Sequence, residues 1–149
     1  DKLQTFVPIQ EYQIDYYKNR FLKYINPGFI KCVADENDEL VAFAITMPSF
    51  SNALKKINGK VDLIGKLRLL YAKNFNSKGS LYLIGVRPDF QNKGVIAILF
   101  NELQKFYNKF GITEVETNPE LIENTAIQQL WKNYENNQHK NRATFTKQI

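Results

Sequence analysis

The residues able to do chemistry concentrate in one loop, Arg87-Pro88-Asp89-Phe90-Gln91-Asn92-Lys93-Gly94. A strand-like apolar run, Leu81 to Val86, leads into it, and an amphipathic helical pattern begins directly after Gly94. Strand, short loop and helix in that order bring the N–H groups of the loop and of the first helical turn to one point. Those groups have no partner within the helix, and the helix dipole favours negative charge there, so the unit is a site for an anion such as a pyrophosphate. In Gln91-x-x-Gly94 the glycine lets the backbone approach a phosphate and turn into the helix, and Lys93 adds a positive charge beside it. There is no GK[ST] of a nucleotide P-loop and no GxGxxG of a dinucleotide fold. From these residues alone, an ordinary strand-to-helix turn is an equally good reading.

Other reactive residue types are scattered. His139, the single histidine, lies in the polar run NNQHKNR with no acid or cysteine beside it, which points to a surface residue and to neither a metal site nor a triad. Cys32, the single cysteine, rules out a disulfide within the chain and so favours a reducing, cytoplasmic compartment. It alternates with Ile30 and Ala34 and reads as a strand core residue rather than a nucleophile. Tyr16 and Tyr17 read as packing residues of a helix.

The elements that must position these groups follow in order. The pattern predicts a helix from Pro8 to Ile25, with Ile9, Tyr16, Phe21 and Tyr24 near one face and Pro27-Gly28 as its stop. Phe29 to Ala34 and Leu40 to Thr46 predict an antiparallel hairpin around the turn Asp35 to Asp38. The near-continuous apolar run LVAFAI predicts a strand covered on both faces. Ser51 is placed to cap a short helix ending at Asn58-Gly59, and Leu63, Leu67, Leu70 and Tyr71 mark a second helix. Then come the strand Leu81 to Val86 and the strongest helix, with Ile96, Leu99, Leu103, Phe106 and Phe110 as one stripe, widened by Phe100 and Tyr107, and Gly111 as its end. Ile112 to Thr117 predicts a strand on which Glu114 and Glu116 share a face. Asn124 is placed to cap a helix with Ile127, Leu130, Trp131 and Tyr134 on one side, and Arg142 to Ile149 predicts a last strand. This order gives an α/β fold: a mixed, mostly antiparallel sheet flanked by helices.

At 149 residues and 44% apolar content, the chain is one globular domain able to bury a core without staples. No apolar run is long enough to span a bilayer, so no membrane role is expected. The net charge of +5 suits an anionic ligand. It is concentrated between Ser51 and Ser80, where Lys55, Lys56, Lys60, Lys66, Arg68, Lys73 and Lys78 face a single acid, Asp62. That stretch reads as a solvated helical face, as an attractor for an acidic acceptor or phosphate, or as a nucleic-acid contact. The last ranks lowest, because few aromatics are interleaved.

The segment LYLIGVRPDFQNKGVIAILFNEL resembles motif A of the GCN5-related N-acetyltransferase (GNAT) superfamily: a strand ending in Val, then Pro, the acyl-CoA loop and a helix. NTAIQQLW, from Asn124 to Trp131, is similar to the second signature N-x-x-A-x-x-L-Y, with the Asn-to-aromatic spacing kept and the alanine one place early. DENDELVAFAITMPS, LYLIGVRPDFQNKGV and ETNPELIEN are further similar to a group of bacterial GNAT-like proteins, many from Bacteroidetes, in which this domain stands at the C-terminal end. With the absence of an initiator Met, that implies a single GNAT-like domain (1–149) from a longer protein. Its segments would be an N-terminal helical segment (1–28), a basic helical insertion (51–79) and an acyl-CoA-binding core (81–134).

The resemblance implies acetyl-CoA as acyl donor, no metal, and a small-molecule or peptide amine as acceptor. It implies a sheet that splays where acyl-CoA enters. Backbone groups of Ile84, Gly85 and Val86 would meet the pantetheine arm, those from Gln91, Asn92, Lys93 and Gly94 through Val95 and Ile96 the pyrophosphate, and Asn124 would bond the pantetheine or help hold the splayed strands apart. Two departures stand out. Ile96 occupies a position normally Gly or Ala, with Ala97 next to it. Trp131 occupies the place of a tyrosine that often protonates the leaving thiolate, and an indole N–H is too weak an acid for that. Tyr134, one turn on, carries a suitable hydroxyl. An amine must be neutral to attack, so a carboxylate or relayed water must take a proton; Glu116 is the candidate, with a merely solvated strand residue as the competing reading. A catalytically degenerate acyl-CoA-binding or interaction module is the alternative function, and a preceding domain or a homodimer the expected protein partner.

Overall fold

The run after Gly94 forms the longest helix, and the sheet is assembled on its apolar stripe. The computed structural model describes residues 9–20, 25–59, 62–145 and 147. In chain order the elements are α1 (Glu11–Arg20), β1 (Ile30–Ala34), β2 (Leu40–Pro48), α2 (Ser51–Ile57), α3 (Leu63–Asn74), β3 (Lys78–Val86), α4 (Val95–Phe110), β4 (Glu114–Thr117) and α5 (Thr125–Trp131). The sheet runs β1-β2-β3-β4. β1 and β3 flank β2 antiparallel, and β4 lies parallel to β3. This is the mixed, mostly antiparallel sheet that the sequence predicts.

One sheet face receives α4. Val33, Ala42, Ala44, Leu81, Ile84 and Val86 meet Leu99 and Leu103, which are fully buried, together with Val95 and Tyr107. Burial of that stripe fixes the helix in rotation and in height. Beside it Phe29, 1% exposed, is boxed by the rings of Phe106 and Phe110, each 4.9 Å away edge-on. Thr46 is the buried polar residue of this core; its hydroxyl donates to the Phe29 carbonyl at 2.8 Å, so its burial leaves no unmade bond. Gly111 ends α4 at φ 78, in the left-handed region that glycine enters without penalty.

Several expectations are corrected. Cys32 is exposed, not a core residue. Among the described residues β1 is an edge strand, and by alternation Val33 turns toward α4 while Cys32 turns away. Ser51 is not the cap of α2 but its first residue; the cap position is Phe50, and Ser49 Oγ accepts from the Ser51 N–H. Among the described residues of 142–149 none lies in a strand; only Ala143 and Phe145 there share an alternating apolar face, and Phe145 stays exposed. The first helix covers Glu11–Arg20; Pro8, Phe21 and Tyr24 lie outside the described residues. Helix α3 turns its small residues, Gly65 and Ala72, inward and carries Leu63, Leu67, Leu70 and Tyr71 outward.

The hairpin β1–β2 is tied to the end of β3 by charge. Arg87, directly after β3, places Nη2 3.2 Å from Asp35 Oδ2 and Nε 2.9 Å from Asp89 Oδ1. Asp35 Oδ1 accepts the N–H groups of Asn37 and Glu39, both at 3.0 Å, and so closes the hairpin turn. These bonds, that of the Glu39 N–H first, hold the Asp35 carboxyl below its ordinary value of 3.8.

Stability should respond to two of these features. Leu99→Ala should lower the unfolding free energy in urea by about 3 kcal/mol, from lost transfer energy plus a cavity. Leu67→Ala, at a position 59% exposed, should stay within about 0.5 kcal/mol; a larger loss would mean that this face of α3 is covered. The second feature is the Asp35 carboxylate. A carboxyl depressed in the folded state stabilises above its unfolded pKa and loses that contribution as pH falls through the folded one. Asp35→Asn should therefore melt below the wild type at neutral pH, with the gap closing as pH drops below 3.8.

Candidate active site

The site begins where β3 loses a neighbour. β2 accompanies β3 over its whole length, from Pro48 opposite Gly79 to Ala42 opposite Val86. β4 accompanies it only from Lys78 to Leu81, where the last pair is Leu81 with Thr117. Beyond that pair the strands diverge. The Asn118 side chain crosses the gap once, donating from Nδ2 to the Tyr82 carbonyl at 2.6 Å. From Leu83 to Val86, alternate N–H and C=O groups point to an edge that no strand among the described residues takes up.

The chain then turns. Arg87 N–H donates to the Val41 carbonyl at 2.8 Å, and Pro88–Phe90 form one 3₁₀ turn whose Phe90 N–H returns to the Arg87 carbonyl. Asn92 and Gly94 adopt left-handed backbone, at φ 61 and 77. Gly94 is the cap position of α4 and offers no side-chain bond to the helix. Among the described residues nothing accepts from the N–H groups of Asn92, Gly94, Val95 or Ile96. A Cβ added at Gly94 would meet nothing within 4 Å, so the glycine is required by its dihedral, and the space before it is open.

That open space belongs to a cleft of about 360 Å³. Val86, Phe90, Gln91, Asn92, Gly94, Val95, Ile96 and Ala97 form one wall, and Gln129, Leu130 and Asn133 form the other. Open N–H groups at a helix N-terminus with no side chain in front of them fit a phosphate-bearing ligand. Ile96 is half-buried and shares the wall with Ala97, so its bulk is accommodated beside the turn.

The remaining predicted residues lie around this cleft. Lys93 is not on its wall; its Nζ sits 5.2 Å from the Phe90 ring centroid. Ile84 turns toward α4. Gly85 lines a second hollow, about 280 Å³, with Leu40, Val41, Phe43 and Arg87, and the Phe43 ring covers it so closely that a Cβ there would lie 2.7 Å away. Asn124 caps α5, its Oδ1 accepting from Ile127 N–H at 3.5 Å. Tyr134 follows α5 and packs on Phe100 and Trp131, with ring centroids 5.8 and 6.3 Å away; it is not on the wall of the cleft. Trp131 donates its indole N–H to Glu120 at 2.8 Å.

Glu116 is held by Lys140, and His139 Nε2 lies 3.4 Å from it. The Lys140 bond is the main reason its carboxyl sits below the usual glutamate range. The fold thus gives His139 an acid neighbour that its sequence surroundings lack. Glu114 pairs separately with Lys78 at 2.7 Å. Sequence reasoning missed the α5 wall, Asn118 and the Asp35–Arg87 tie. The first had a signal in the four-residue spacing of Gln129 and Asn133, which puts both on one helix face; the others join residues too distant in sequence to be paired by inspection. Among the described residues no group of His, Cys, Asp and Glu is arranged to hold a metal, and no helix is long and apolar enough to cross a membrane.

No curated protein matches the sequence. Solved structures do. An apo aminoglycoside 6′-N-acetyltransferase, AAC(6')-IG from Acinetobacter haemolyticus, aligns with TM-score 0.57 and 15% identity over 96% of this chain and 85% of its own. A ribosomal-protein-alanine N-acetyltransferase from Brucella melitensis biovar Abortus 2308 gives 0.54 and 14% over 95% and 81%. The aminoglycoside 6′-N-acetyltransferase AAC(6')-Ih from Acinetobacter baumannii gives 0.53 and 14% over 96% and 97%. At these identities the likeness is one of fold. The sequence pattern of the acetyltransferase (GNAT) family matches residues 2–134, which spans the diverging strands, the loop and the α5 wall. The chain belongs to the acetyltransferase (GNAT) family.

Proposed function

We propose that this chain transfers an acetyl group from acetyl-CoA to the amine of a small molecule or peptide. The observation that carries the reading is the conjunction of two open backbone features: the edge of β3 from Leu83 to Val86, which lacks a neighbouring strand among the described residues and whose Val86 carbonyl takes only the Gln91 amide at 3.5 Å, and the unpaired N–H groups of Asn92 and Gly94–Ile96 beside it. An extended amide-bearing arm can pair with the first as a strand would, while its pyrophosphate is held by the second. Acetyl-CoA brings the activated thioester. The protein's role is to bind and orient it and to aim backbone N–H groups at charge that develops on the thioester oxygen. Asn92, Gly94, Val95 and Ile96 hold the pyrophosphate end in this reading, with Ile84–Val86 along the arm; Gln91 lines the same wall but gives its N–H to the Pro88 carbonyl.

Glu116 and Tyr134 are the chain's candidates for proton transfer, and the geometry weighs on each. Glu116 stands next to Thr117, where the strands diverge, but its pairing with Lys140 weakens it as a base. Tyr134 has a hydroxyl but lies with its ring on Phe100. Trp131, in the place of the usual acid, commits its indole N–H to Glu120. These three observations favour a second reading, a module that binds acyl-CoA without turning it over.

Calorimetric titration should give a Kd for acetyl-CoA between about 1 μM and 1 mM; no heat at millimolar ligand would sink both readings. A free-thiol assay over a panel of polyamines, aminoglycosides and N-terminal peptides then separates them, since the second predicts no thiol above background. Gly94→Ala forces a side chain into left-handed backbone. It should cost about 1 kcal/mol of stability and weaken acetyl-CoA binding, whereas unchanged affinity would remove Gly94 from the site.

A further inference from the structure

Arg87 lies outside the wall of the acyl-donor cleft, yet every bond it makes bears on the loop that forms that wall. Its backbone N–H continues the β2–β3 ladder by bonding Val41, and its carbonyl takes the N–H of Phe90. Its guanidinium grips Asp89 through Nε and Asp35 through Nη2, at 2.9 and 3.2 Å, and lies 4.6 Å over the Phe90 ring. Phe90 packs into the main core and also lines the cleft. Asp35 is the better shielded partner, with a side chain 15% exposed, and it is fixed in turn by the two N–H groups of its own hairpin turn. A chain of contacts therefore runs from the β1–β2 turn through Arg87 to the cleft wall. The planar guanidinium suits this task, because it can bond two carboxylates in its plane while stacking on a ring.

We propose that Asp35 and Arg87 are positioning residues for the acyl donor: a latch that holds the Pro88–Gly94 loop in the shape that leaves its N–H groups open to the pyrophosphate. The proposal rests on the acyl-donor reading of the cleft. The latch and simple electrostatics predict effects of opposite sign. An acidic residue near an anion site repels the ligand through space, so its removal by electrostatics alone strengthens binding. Under the latch, removal of the Asp35 charge weakens binding, because the loop loses its anchor.

The test compares wild type, Asp35→Asn, Arg87→Gln and the double variant by titration with acetyl-CoA at two salt concentrations, with melting temperature and amide hydrogen exchange alongside. Asn keeps the Oδ1 acceptor for Asn37 and Glu39 and replaces Oδ2, the charged acceptor of Arg87, with an amide NH2, so the tie to Arg87 is lost while the hairpin turn is kept. The expected result is a Kd raised about fivefold in Asp35→Asn, a melting temperature lowered by only a few degrees, and a double variant no weaker than Arg87→Gln. Tighter or unchanged binding in Asp35→Asn, or effects that add in the double variant, would overturn the latch. If Arg87→Gln does not fold, the sign for Asp35→Asn still decides. Hydrogen exchange decides without ligand: the latch predicts faster exchange across residues 88–96 in Asp35→Asn, with α4 beyond Leu99 unaffected. Wild type that fails to bind acetyl-CoA defeats the reading of the cleft, and the exchange data then judge the latch on their own.

Discussion

The constraint on which the site depends is the divergence of β3 and β4. A backbone group away from water must find a partner, and a parallel neighbour would ordinarily satisfy every outward group of β3. Here that neighbour stops at Thr117. The strands cannot close further because the chain after β4 is held elsewhere. Asn118 still reaches back to β3 through its amide on the Tyr82 carbonyl, but Glu120 is bound to Trp131, whose ring stands edge-on to Phe100 of α4. The same contacts that draw the chain away from β3 carry it to α5, so the gap and its far wall have one cause.

The near wall has a different origin. Leu99 and Leu103 lock α4 to the sheet, which places its N-terminus just beyond the end of β3. Between Val86 and Val95 the chain must reverse direction, and it does so with two left-handed residues, Asn92 and Gly94. Left-handed backbone at the cap turns the first helical N–H groups outward instead of into a side-chain cap. A serine or aspartate cap would stabilise α4 by about 1 kcal/mol but would fill the open space before the first helical N–H groups, where the proposed reading puts the pyrophosphate. The open cap is thus a local loss of stability, offset by the buried stripe of the same helix.

What could be read from the sequence divides along the same line. The α4 stripe, the β1–β2 hairpin, the β3–loop–α4 unit and the Asn124 cap are all set by neighbours within a few residues, and each is where its spacing places it. Two of the failures are matters of side. Alternation shows that Ile30, Cys32 and Ala34 share a face but not which face α4 will cover. The spacing of Leu63, Leu67, Leu70 and Tyr71 shows a helix, yet Gly65 and Ala72 on its other side allow a closer approach to the sheet and go inward. For the site, Gln91-x-x-Gly94 marks the near wall because a glycine at a strand-to-helix turn has a local signature. The far wall has only the four-residue spacing of Gln129 and Asn133, which does not say what those residues face, and the Asp35–Arg87 pair has no local signal, since each needs the fold to bring distant segments together.

The two walls also differ in how firmly they are fixed. The near wall belongs to the main core: Phe90, Val86 and Val95 pack against it, and Arg87 adds two ion pairs. The far wall is a helix of seven residues and the turn after it, held by the Asn124 cap at 3.5 Å, by the Gln128 amide on the Leu121 and Ile122 carbonyls, by the Glu120–Trp131 bond and by the rings of Trp131, Tyr134 and Phe100, all near the surface. Short helices gain little from their own hydrogen bonds and depend on tertiary contacts. A ligand that fills the cleft would add such contacts along Gln129, Leu130 and Asn133, and so would stabilise the wall that most lacks them. In the proposed reading, the phosphate end would meet the firmly packed near wall, and added contacts would fall on α5. Such a division would suit the proposed donor, whose pyrophosphate is a constant group while the rest of the cleft meets other chemistry.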